Sequence, residues 1–272
     1  MKVVCFNVNG IRARLHQLGA LQESHRPDVV ALQEIKVASD QFPIDDVRAL
    51  GYEHIEHFGQ KGHYGVALLS KTPAQNVMLG VPWRDDDQQR RLIAADYATP
   101  GGATLRIANG YFPQGDSREH PTKFPNKQEF YADIARLLDE RYTPTDNLLL
   151  VGDMNVAPSA EDIGIGADNE KRWLRTGKAS FLPEEREWLA RLTDWGLSDT
   201  YASHCPPDER LYSWFDYRSR GFEREPKRGL RIDLLLASAP LMGKLTDAGI
   251  DYEIRGGEKP SDHCPCWCTF DL

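Results

Sequence analysis

Polar side chains that could bind metal or phosphate follow an apolar run in the second half of the chain. The run Leu148–Val151 contains four apolar residues, a pattern typical of a buried strand. Gly152 then allows a sharp turn, and Asp153 and Asn155 follow. A carboxylate and a carboxamide two positions apart on an extended backbone point the same way, so we expect Asp153 and Asn155 to face one site.

The same arrangement recurs toward both ends of the chain. Glu34 ends the apolar run that begins at Val29, and Asp262 and His263 precede the last predicted strand. An α/β enzyme brings such distant strand ends together to form its active site. The polar residues at these positions are Asn7, Glu34, Tyr111, Asp153, Asn155, Asp233, Asp262 and His263.

This set of residues is rich in oxygen ligands and poor in soft ligands. Carboxylates, carboxamides and water suit Mg²⁺ or Mn²⁺ rather than zinc. Because Mg²⁺ usually completes its coordination shell with waters and phosphate oxygens, such a site indicates a phosphate-containing substrate. The set therefore favours metal-assisted hydrolysis of a phosphodiester.

Each residue of the set has a role in that reaction and also a plain structural explanation. Asp153 can orient and deprotonate water, Asn155 can donate to the transition-state oxygens, and Tyr111 can donate to phosphate. His263 can bind a phosphate oxygen or act as the base, oriented by Asp233. Equally, Asp153 could form a turn and Tyr111 could belong to the core. The co-occurrence of so many such residues favours catalysis.

Charge is distributed unevenly along the chain of 272 residues. The net charge of −8 alone disfavours a nucleic-acid partner, because DNA affinity comes largely from basic residues. Lys171–Lys178 and Arg218–Arg231 are nevertheless basic clusters. Trp214, Phe215 and Leu230 lie near a candidate catalytic aspartate and can receive an unstacked nucleotide. The alternatives are a solvated charged face and ordinary core packing.

The cysteines indicate a reduced, non-secreted protein. There are five of them, and Cys264, Cys266 and Cys268 alternate, which places these three on one face of a strand. We expect them to pack in the core, since a metal cluster would require a fourth ligand and a turn. No apolar run approaches the ~20 residues that span a bilayer, and the N-terminal region lacks a signal-peptide segment. We therefore predict a cytoplasmic location and no membrane partner.

Strand-like and helix-like segments are mixed along the chain, which predicts a single layered α/β domain over residues 1–272. Some neighbouring strands have connections too short for a helical crossover, so antiparallel pairs are expected. The predicted arrangement is two sheets packed together with helices outside. The predicted strands are Lys2–Asn7, Asp28–Gln33, Gly65–Ser70, Leu92–Tyr97, Ala103–Phe112, Asn147–Gly152, Arg231–Ala237 and Cys264–Phe270, and the predicted helices are Asn126–Glu140 and Pro183–Trp195.

Several motifs in this chain resemble those of exonuclease III, particularly its bacterial branch. The resemblance covers nearly the whole chain in the order of the family. The motifs are Phe6–Arg12, Leu32–Lys36, Gly62–Ala67, Asn109–Gly115, Gly152–Asn155, Trp173–Gly177, Ser180–Glu184, Gly229–Asp233 and Ser261–His263.

The resemblance implies a four-layered α/β sandwich and a Mg²⁺-dependent enzyme of base-excision repair, in which Mn²⁺ can substitute. Such enzymes cut 5′ to abasic sites in double-stranded DNA, trim duplexes from the 3′ end and remove 3′-blocking groups. A monomer acting on DNA with abasic sites or blocked 3′ ends is expected.

The resemblance also implies residue roles. Glu34 resembles the main metal ligand, and the full metal set is Asn7, Glu34, Asp153, Asn155 and Asp262. The catalytic set is Tyr111, Asp153, Asn155, Asp233 and His263, in which Asp153 resembles the acid or base and Tyr111 the phosphate-binding phenol. The DNA-binding set is Lys171, Arg175, Trp214, Phe215, Arg218 and Leu230, of which Trp214, Phe215 and Leu230 resemble the pocket for an abasic sugar.

Some questions stay open at the level of sequence. One alternative is a phosphodiesterase or phosphatase of the same architecture that acts on lipid or inositol phosphate headgroups, since fold does not fix substrate. Another is a non-catalytic module that binds DNA ends. The number of metal ions and the choice of Asp153 or His263 as base are undetermined. The chain departs from the family in its three alternating cysteines, which could add sensitivity to oxidation, and in a longer, more charged loop at Phe222–Arg228.

Overall fold

Apolar runs form the central strands of two six-stranded sheets. The structure is a computed structural model, and it describes residues 1–85 and 88–272. The strands are β1 (Lys2–Asn7), β2 (Val29–Gln33), β3 (His54–Phe58), β4 (Val66–Ser70), β5 (Gln75–Leu79), β6 (Leu92–Ala98), β7 (Thr104–Tyr111), β8 (Leu148–Asp153), β9 (Leu197–Asp199), β10 (Asp233–Ser238), β11 (Leu245–Ile250) and β12 (Cys266–Phe270). The helices are α1 (Leu15–His25), α2 (Ile44–Ala49), α3 (Lys123–Arg141), α4 (Ala167–Thr176), α5 (Pro183–Asp194), α6 (Thr200–His204), α7 (Ala239–Met242) and α8 (Tyr252–Arg255).

Both sheets are mixed, as the short connections predict. The first has the order β11-β12-β1-β2-β4-β3 and the second the order β5-β6-β7-β8-β10-β9. Each contains one parallel pair near its centre, β1 with β2 and β7 with β8, and its other neighbours are antiparallel. The carboxyl ends of the parallel strands therefore define one edge in each sheet.

Three layers of apolar contact hold the sheets and helices together. The layer between the sheets contains Val3 and Leu149, which are fully buried. Outside the second sheet, Ile134 of α3 and Leu192 of α5 pack over it, and Leu18 of α1 lies in the cluster that covers the first sheet. The order helix, sheet, sheet, helix confirms the predicted four-layered sandwich.

The predicted strands all form, and the strands that sequence patterns missed share one property. β11, β3, β5 and β9 are the edge strands of the two sheets. Gln75–Leu79 is mostly exposed, and His54–Phe58 is half-buried along its length. An edge strand covered on one side carries no continuous apolar run, so its sequence does not stand out. The predicted helices form with shifted ends, α3 beginning at Lys123 and α5 ending at Asp194.

The three alternating cysteines pack in the core between the sheets, as predicted. Cys264, Cys266 and Cys268 are buried there together with Cys5 of β1. All five cysteines are free thiols. Among the described residues, no helix combines the length and the apolar character needed to cross a bilayer.

A buried arginine fixes the segment that leads into β10. The Arg231 side chain is 1% exposed, and its guanidinium donates to Asp162 and to Asp199, each at 2.6 Å. The Arg231 backbone N–H also donates to the carbonyl of Asp162. These bonds fix the backbone at Arg231, which lies between Leu230 and Asp233 in the chain.

We expect Arg231→Met to lower the free energy of unfolding by about 3–5 kcal/mol, because it leaves the carboxylate of Asp162 buried without its charged partner. Urea denaturation followed by circular dichroism measures this change. Arg136→Met is the matched control, since Arg136 forms an exposed pair with Glu140 one helical turn away. Its expected effect is below about 0.5 kcal/mol. Equal effects of the two variants would contradict the structural role of Arg231.

Candidate active site

The two sheets meet at the edge where β1 and β8 end. The Asn7 side-chain amide donates to Asp153 Oδ2 at 2.9 Å, from one sheet to the other. One layer deeper, Gln33 Nε2 donates to Asn109 Oδ1 at 2.7 Å. All four side chains are buried, so these bonds satisfy polar groups that water does not reach. They fix the distance between the ends of the two sheets.

Tyr111, Asp153 and Asp233 lie side by side across three neighbouring strands. Asp153 is in register with Tyr111 of β7 and with Asp233 of β10. The preceding pair in β7 and β8 consists of two glycines, and a Cβ on Gly152 would lie 1.9 Å from the carbonyl oxygen of Gly110. Gly152 therefore permits a close approach of two strands, and the expected sharp turn at Gly152 is wrong.

Asn155 reaches the site by a turn and not along an extended strand. β8 ends at Asp153, and Asn155 has a φ of 53°, in the left-handed region. Its backbone N–H donates to Asp153 Oδ1 at 3.0 Å, and its amide donates to the carbonyl of Phe112 at 3.0 Å. The expectation of an extended backbone is wrong here, although both side chains face one cavity.

His263 lies between two carboxylates. Its Nδ1 is 2.8 Å from Asp233 Oδ2, and its Nε2 is 3.7 Å from Asp153 Oδ2. Burial alone would lower the pKa of His263, but the charges of Asp233 and Asp153 raise it to about 10. Burial raises the pKa of Asp153 to about 7, against the opposing effect of His263. The carboxylate of Asp153 and the imidazole of His263 therefore influence each other's protonation.

Asp262 and Glu34 extend the row of carboxylates. Asp262 accepts from Asn9 Nδ2 at 2.8 Å and from the indole N–H of Trp214 at 3.0 Å. Burial opposes ionisation of Asp262, but His263 and these two hydrogen bonds hold its pKa below the ordinary value. Glu34 follows β2 with a φ of 55°, and its carboxylate lies 2.9 Å from the ammonium of Lys36.

The Tyr111 phenol is held by a buried arginine. Arg91 donates to the Tyr111 carbonyl at 2.9 Å, and its guanidinium lies 4.7 Å from the centre of the Tyr111 ring and 4.0 Å from that of Tyr64. Burial and nearby carboxylates raise the pKa of Tyr111 well above its usual value. The phenol is thus protonated at neutral pH and can donate a hydrogen bond.

These side chains open into one cavity of about 450 Å³. Asn7 and Asp233 bond directly to residues of its lining, Asp153 and His263. The predicted residues that line it are Glu34, Tyr111, Asp153, Asn155, Trp214, Arg218, Leu230, Asp262 and His263.

Three predicted DNA-binding residues do not line this cavity. Phe215 is fully buried in the core between the sheets, behind Trp214. Lys171 and Arg175 are exposed on α4, whose Trp173 does line the cavity. The two basic residues therefore lie on a helix next to the site but outside its lining.

Other residues of the site were not predicted individually. Lys178 and Gln114 line the cavity, and Asn9 connects Asp262 to Lys36. Each of them lies within a motif or basic cluster described for the sequence. Asn9, Lys36 and Gln114 are two or three residues from Asn7, Glu34 and Tyr111, and this closeness in sequence is the signal that could have identified them. A smaller neighbouring pocket of about 140 Å³ is lined in part by Arg172, Arg224 and Arg228.

The donor atoms fit a divalent cation. Polar atoms of Asp153, Asp233 and His263 lie within 4.8 Å of one another, and Asp233 and His263 bond to each other. Glu34 and Asp262 add further carboxylates on the same cavity. Carboxylate and amide oxygens held at one rim are the ligands that hard divalent cations take in proteins.

The chain is similar to known proteins in both sequence and structure. The sequence matches the endonuclease/exonuclease/phosphatase family over residues 4–263. It is 53% identical over 270 residues to exodeoxyribonuclease III of Haemophilus influenzae, covering 99% of this chain and 100% of that protein.

Two solved structures align with 100% of this chain and 100% of their own. The 3′ phosphatase NExo from Neisseria, bound to a product DNA hairpin, has a TM-score of 0.88 and 36% sequence identity. An AP endonuclease from Archaeoglobus fulgidus has a TM-score of 0.89 and 31% identity. The likeness thus includes both sheets and the edge where they meet.

We expect Glu34→Gln to weaken binding of Mg²⁺ or Mn²⁺ by at least about tenfold, because it removes the charge of a carboxylate that faces the cavity. Loss of even a group that only contacts a metal ligand weakens metal binding by about that much. Isothermal titration of the metal-free protein measures the change. Glu23→Gln, which removes an exposed carboxylate from α1, is the control and should leave affinity unchanged. Unchanged affinity in Glu34→Gln would remove Glu34 from the metal site.

Proposed function

Since this chain belongs to the endonuclease/exonuclease/phosphatase family and, within it, to the exonuclease III family, we propose that it is a Mg²⁺-dependent DNA repair nuclease. It cleaves the phosphodiester 5′ to abasic sites in double-stranded DNA, and it also has 3′-5′ exonuclease and 3′-phosphatase activities. The observation that carries this proposal is the single cavity in which carboxylates, an amide, a phenol and an imidazole meet beside an apolar wall.

Glu34 is the main metal ligand in this proposal, with Asn7, Asp153, Asn155 and Asp262 completing the set. Mg²⁺ or Mn²⁺ held by these residues would supply positive charge to offset the negative charge that develops on the phosphate oxygens. Support comes from the bond between Asn7 and Asp153 and from the cavity shared by the other ligands.

The residues of the chain carry out the proton transfers. The pair of Asp153 and His263 takes the proton of the attacking water, and Asp233 holds the imidazole through Nδ1. The Asn155 amide and the Tyr111 phenol donate to the phosphate oxygens. Because hydrogen bonds in the protein interior fix Asp153, Asn155 and His263, these groups need little rearrangement during the reaction.

Substrate choice follows from the apolar wall beside the carboxylates. Trp214 and Leu230 form a β-bridge with each other, and Trp214 forms a second one with His263. Leu230 is buried and Trp214 is held by Asp262, so the wall is apolar and rigid. A deoxyribose that lacks its base suits such a wall, whereas the hydroxyl groups of an inositol phosphate would lose hydrogen bonds there.

Basic residues on α4 and in the cavity lining supply the contacts to the DNA backbone. Lys171 and Arg175 are exposed on α4, and Arg218 lines the cavity. This local concentration of positive charge compensates for the negative net charge of the chain.

We further propose that residues 1–272 act as one domain and as a cytoplasmic monomer. Both sheets contribute ligands to the same cavity, so neither half of the chain contains a complete site.

We expect Asp153→Asn to lower cleavage of a duplex with one abasic site by about 10²–10⁴-fold, since it removes a positioned acid–base group while keeping its shape. Single-turnover assays with Mg²⁺, with products separated on a gel, measure the rate. Excess EDTA should abolish cleavage by the unmodified protein. Retention of most activity in the variant would contradict the role of Asp153.

The same assay distinguishes the two substrate classes. The unmodified protein should cleave the abasic duplex far faster than it releases phosphate from a soluble inositol phosphate. The opposite preference would support the headgroup-directed alternative.

We expect Lys171→Ala/Arg175→Ala to weaken binding to the abasic duplex and to reduce the slope of log affinity against log salt by about 0.9 for each phosphate that the two cations neutralise. Fluorescence anisotropy in EDTA over a range of salt concentrations measures both quantities. Arg141→Ala/Lys244→Ala is the charge-matched control, because these residues lie where α3 ends and β11 begins, at the opposite end of the sheets. Identical slopes for the two double variants would exclude α4 from the DNA interface.

A further inference from the structure

A fully buried ion pair lies behind the turn that carries Asn155. Lys127 projects from α3 and Glu185 from the first turn of α5, and both side chains are 0% exposed. In the described part of the chain, the cavity lining includes neither Lys127 nor Glu185. The pair therefore touches the site only through other groups.

The ammonium of Lys127 makes three hydrogen bonds, one for each of its protons. It donates to Glu185 Oε1, to the carbonyl of Asn155 at 2.8 Å and to the carbonyl of Gln114 at 3.3 Å. One helical turn later, Tyr131 donates to the carbonyl of Met154 at 2.8 Å. The helix α3 thus holds two consecutive carbonyls of the turn after β8.

Glu185 connects this turn to a third segment. Its Oε2 accepts from the backbone N–H groups of Ser180 and Leu182, each at 2.8 Å. Gln114, Asn155 and Ser180 all line the cavity. One ion pair consequently joins three lining segments that come from separate parts of the chain.

The surroundings leave the Lys127 side chain little freedom. A Cβ added to Gly115 would lie 3.0 Å from Lys127 Cδ, so the aliphatic stem is packed against the backbone of Gly115. Burial lowers the pKa of Lys127, and the charge of Glu185 opposes that shift. All the donors of the ammonium and both oxygens of the carboxylate have partners.

Stability alone does not account for such a pair. Apolar side chains of similar volume usually replace a buried ion pair with little loss of stability, because burying two charges is costly. What apolar side chains do not reproduce are the bonds to the carbonyls of Asn155 and Gln114 and to the amides of Ser180 and Leu182. The polar pair therefore specifies the positions of these segments.

We propose that Lys127 and Glu185 are positioning residues that set the place of the Asn155 amide relative to the phosphate. The left-handed conformation of Asn155 is a costly one for a residue with a side chain, and the bond from Lys127 to its carbonyl holds it. This inference rests on the proposed nuclease function, in which Asn155 acts on the transition state.

The double variant Lys127→Met/Glu185→Leu tests the inference in the full-length protein. With enzyme in excess over an abasic duplex and saturating Mg²⁺, we expect the single-turnover rate constant to fall about 10- to 100-fold, as small misplacements of catalytic groups do. Affinity for the same duplex in EDTA should stay within about twofold, since no DNA-contacting group is removed. A loss of folded protein lowers the amount of active enzyme but not this rate constant, so a merely structural role leaves the rate constant unchanged.

Arg118→Met/Glu184→Leu is the matched control. Arg118 donates to Glu184 at 2.9 Å, and this surface pair bridges the same region of α5 without touching Asn155. We expect its rate constant to stay within about twofold of that of the unmodified protein. An equal loss in the two double variants would overturn the inference.

Glu185→Gln decides the matter if the first double variant does not fold. It keeps the volume of the side chain but replaces one acceptor by a donor, so the expected loss in rate constant is about 3- to 10-fold. A rate constant equal to that of the unmodified protein in either folded variant refutes the positioning role. If the unmodified protein leaves abasic DNA intact but removes a 3′-phosphate, the substrate proposal fails, and the same ratios on the second substrate still test Lys127 and Glu185.

Discussion

The site depends on the hydrogen bond that crosses from Asn7 in one sheet to Asp153 in the other. Two sheets packed face to face bury their facing side chains, so a polar group at the interface must find its partner within the protein. The bond provides a hydrogen-bond partner for both buried side chains and holds the last residues of β1 and β8 next to each other. One layer deeper, the bond between Gln33 and Asn109 does the same. Apolar packing brings the sheets together, and these polar pairs fix which strand ends face each other.

The turns that follow the central strands bring the remaining groups to the site. Glu34 and Asn155 come directly after β2 and β8, and both have left-handed backbones. Such conformations cost free energy and persist where surrounding contacts determine them. For Asn155 the contacts come from Asp153 and Lys127, and Glu34 is flanked by Lys36. The sheets thus provide a rigid frame, and short strained turns aim the functional groups.

Sequence patterns predicted the frame better than the turns. Most of the central strands contain apolar runs that are buried on both faces, and all of the central strands are predicted. The four edge strands are missed because they mix polar and apolar residues. Asp153 and His263 were predicted from their places at strand ends. The conformation of Asn155 was not, since its left-handed turn depends on bonds to the carboxylate of Asp153 and to distant α3. The sequence around Lys127 has the pattern of an amphipathic helix, in which a lysine is usually exposed. Only the meeting of α3 with α5 reveals its buried partner.

The thiols in the interior have a consequence for chemical reactivity. Cys5, Cys264, Cys266 and Cys268 are buried between the sheets, and burial raises the pKa of each thiol. Because the thiolate is the reactive form, these sulfurs resist alkylation and oxidation while the sheets stay together. Cys205 is partly exposed and is the sulfur that reagents reach first. The rate at which reagents modify the other four thiols therefore reports how often the two sheets separate.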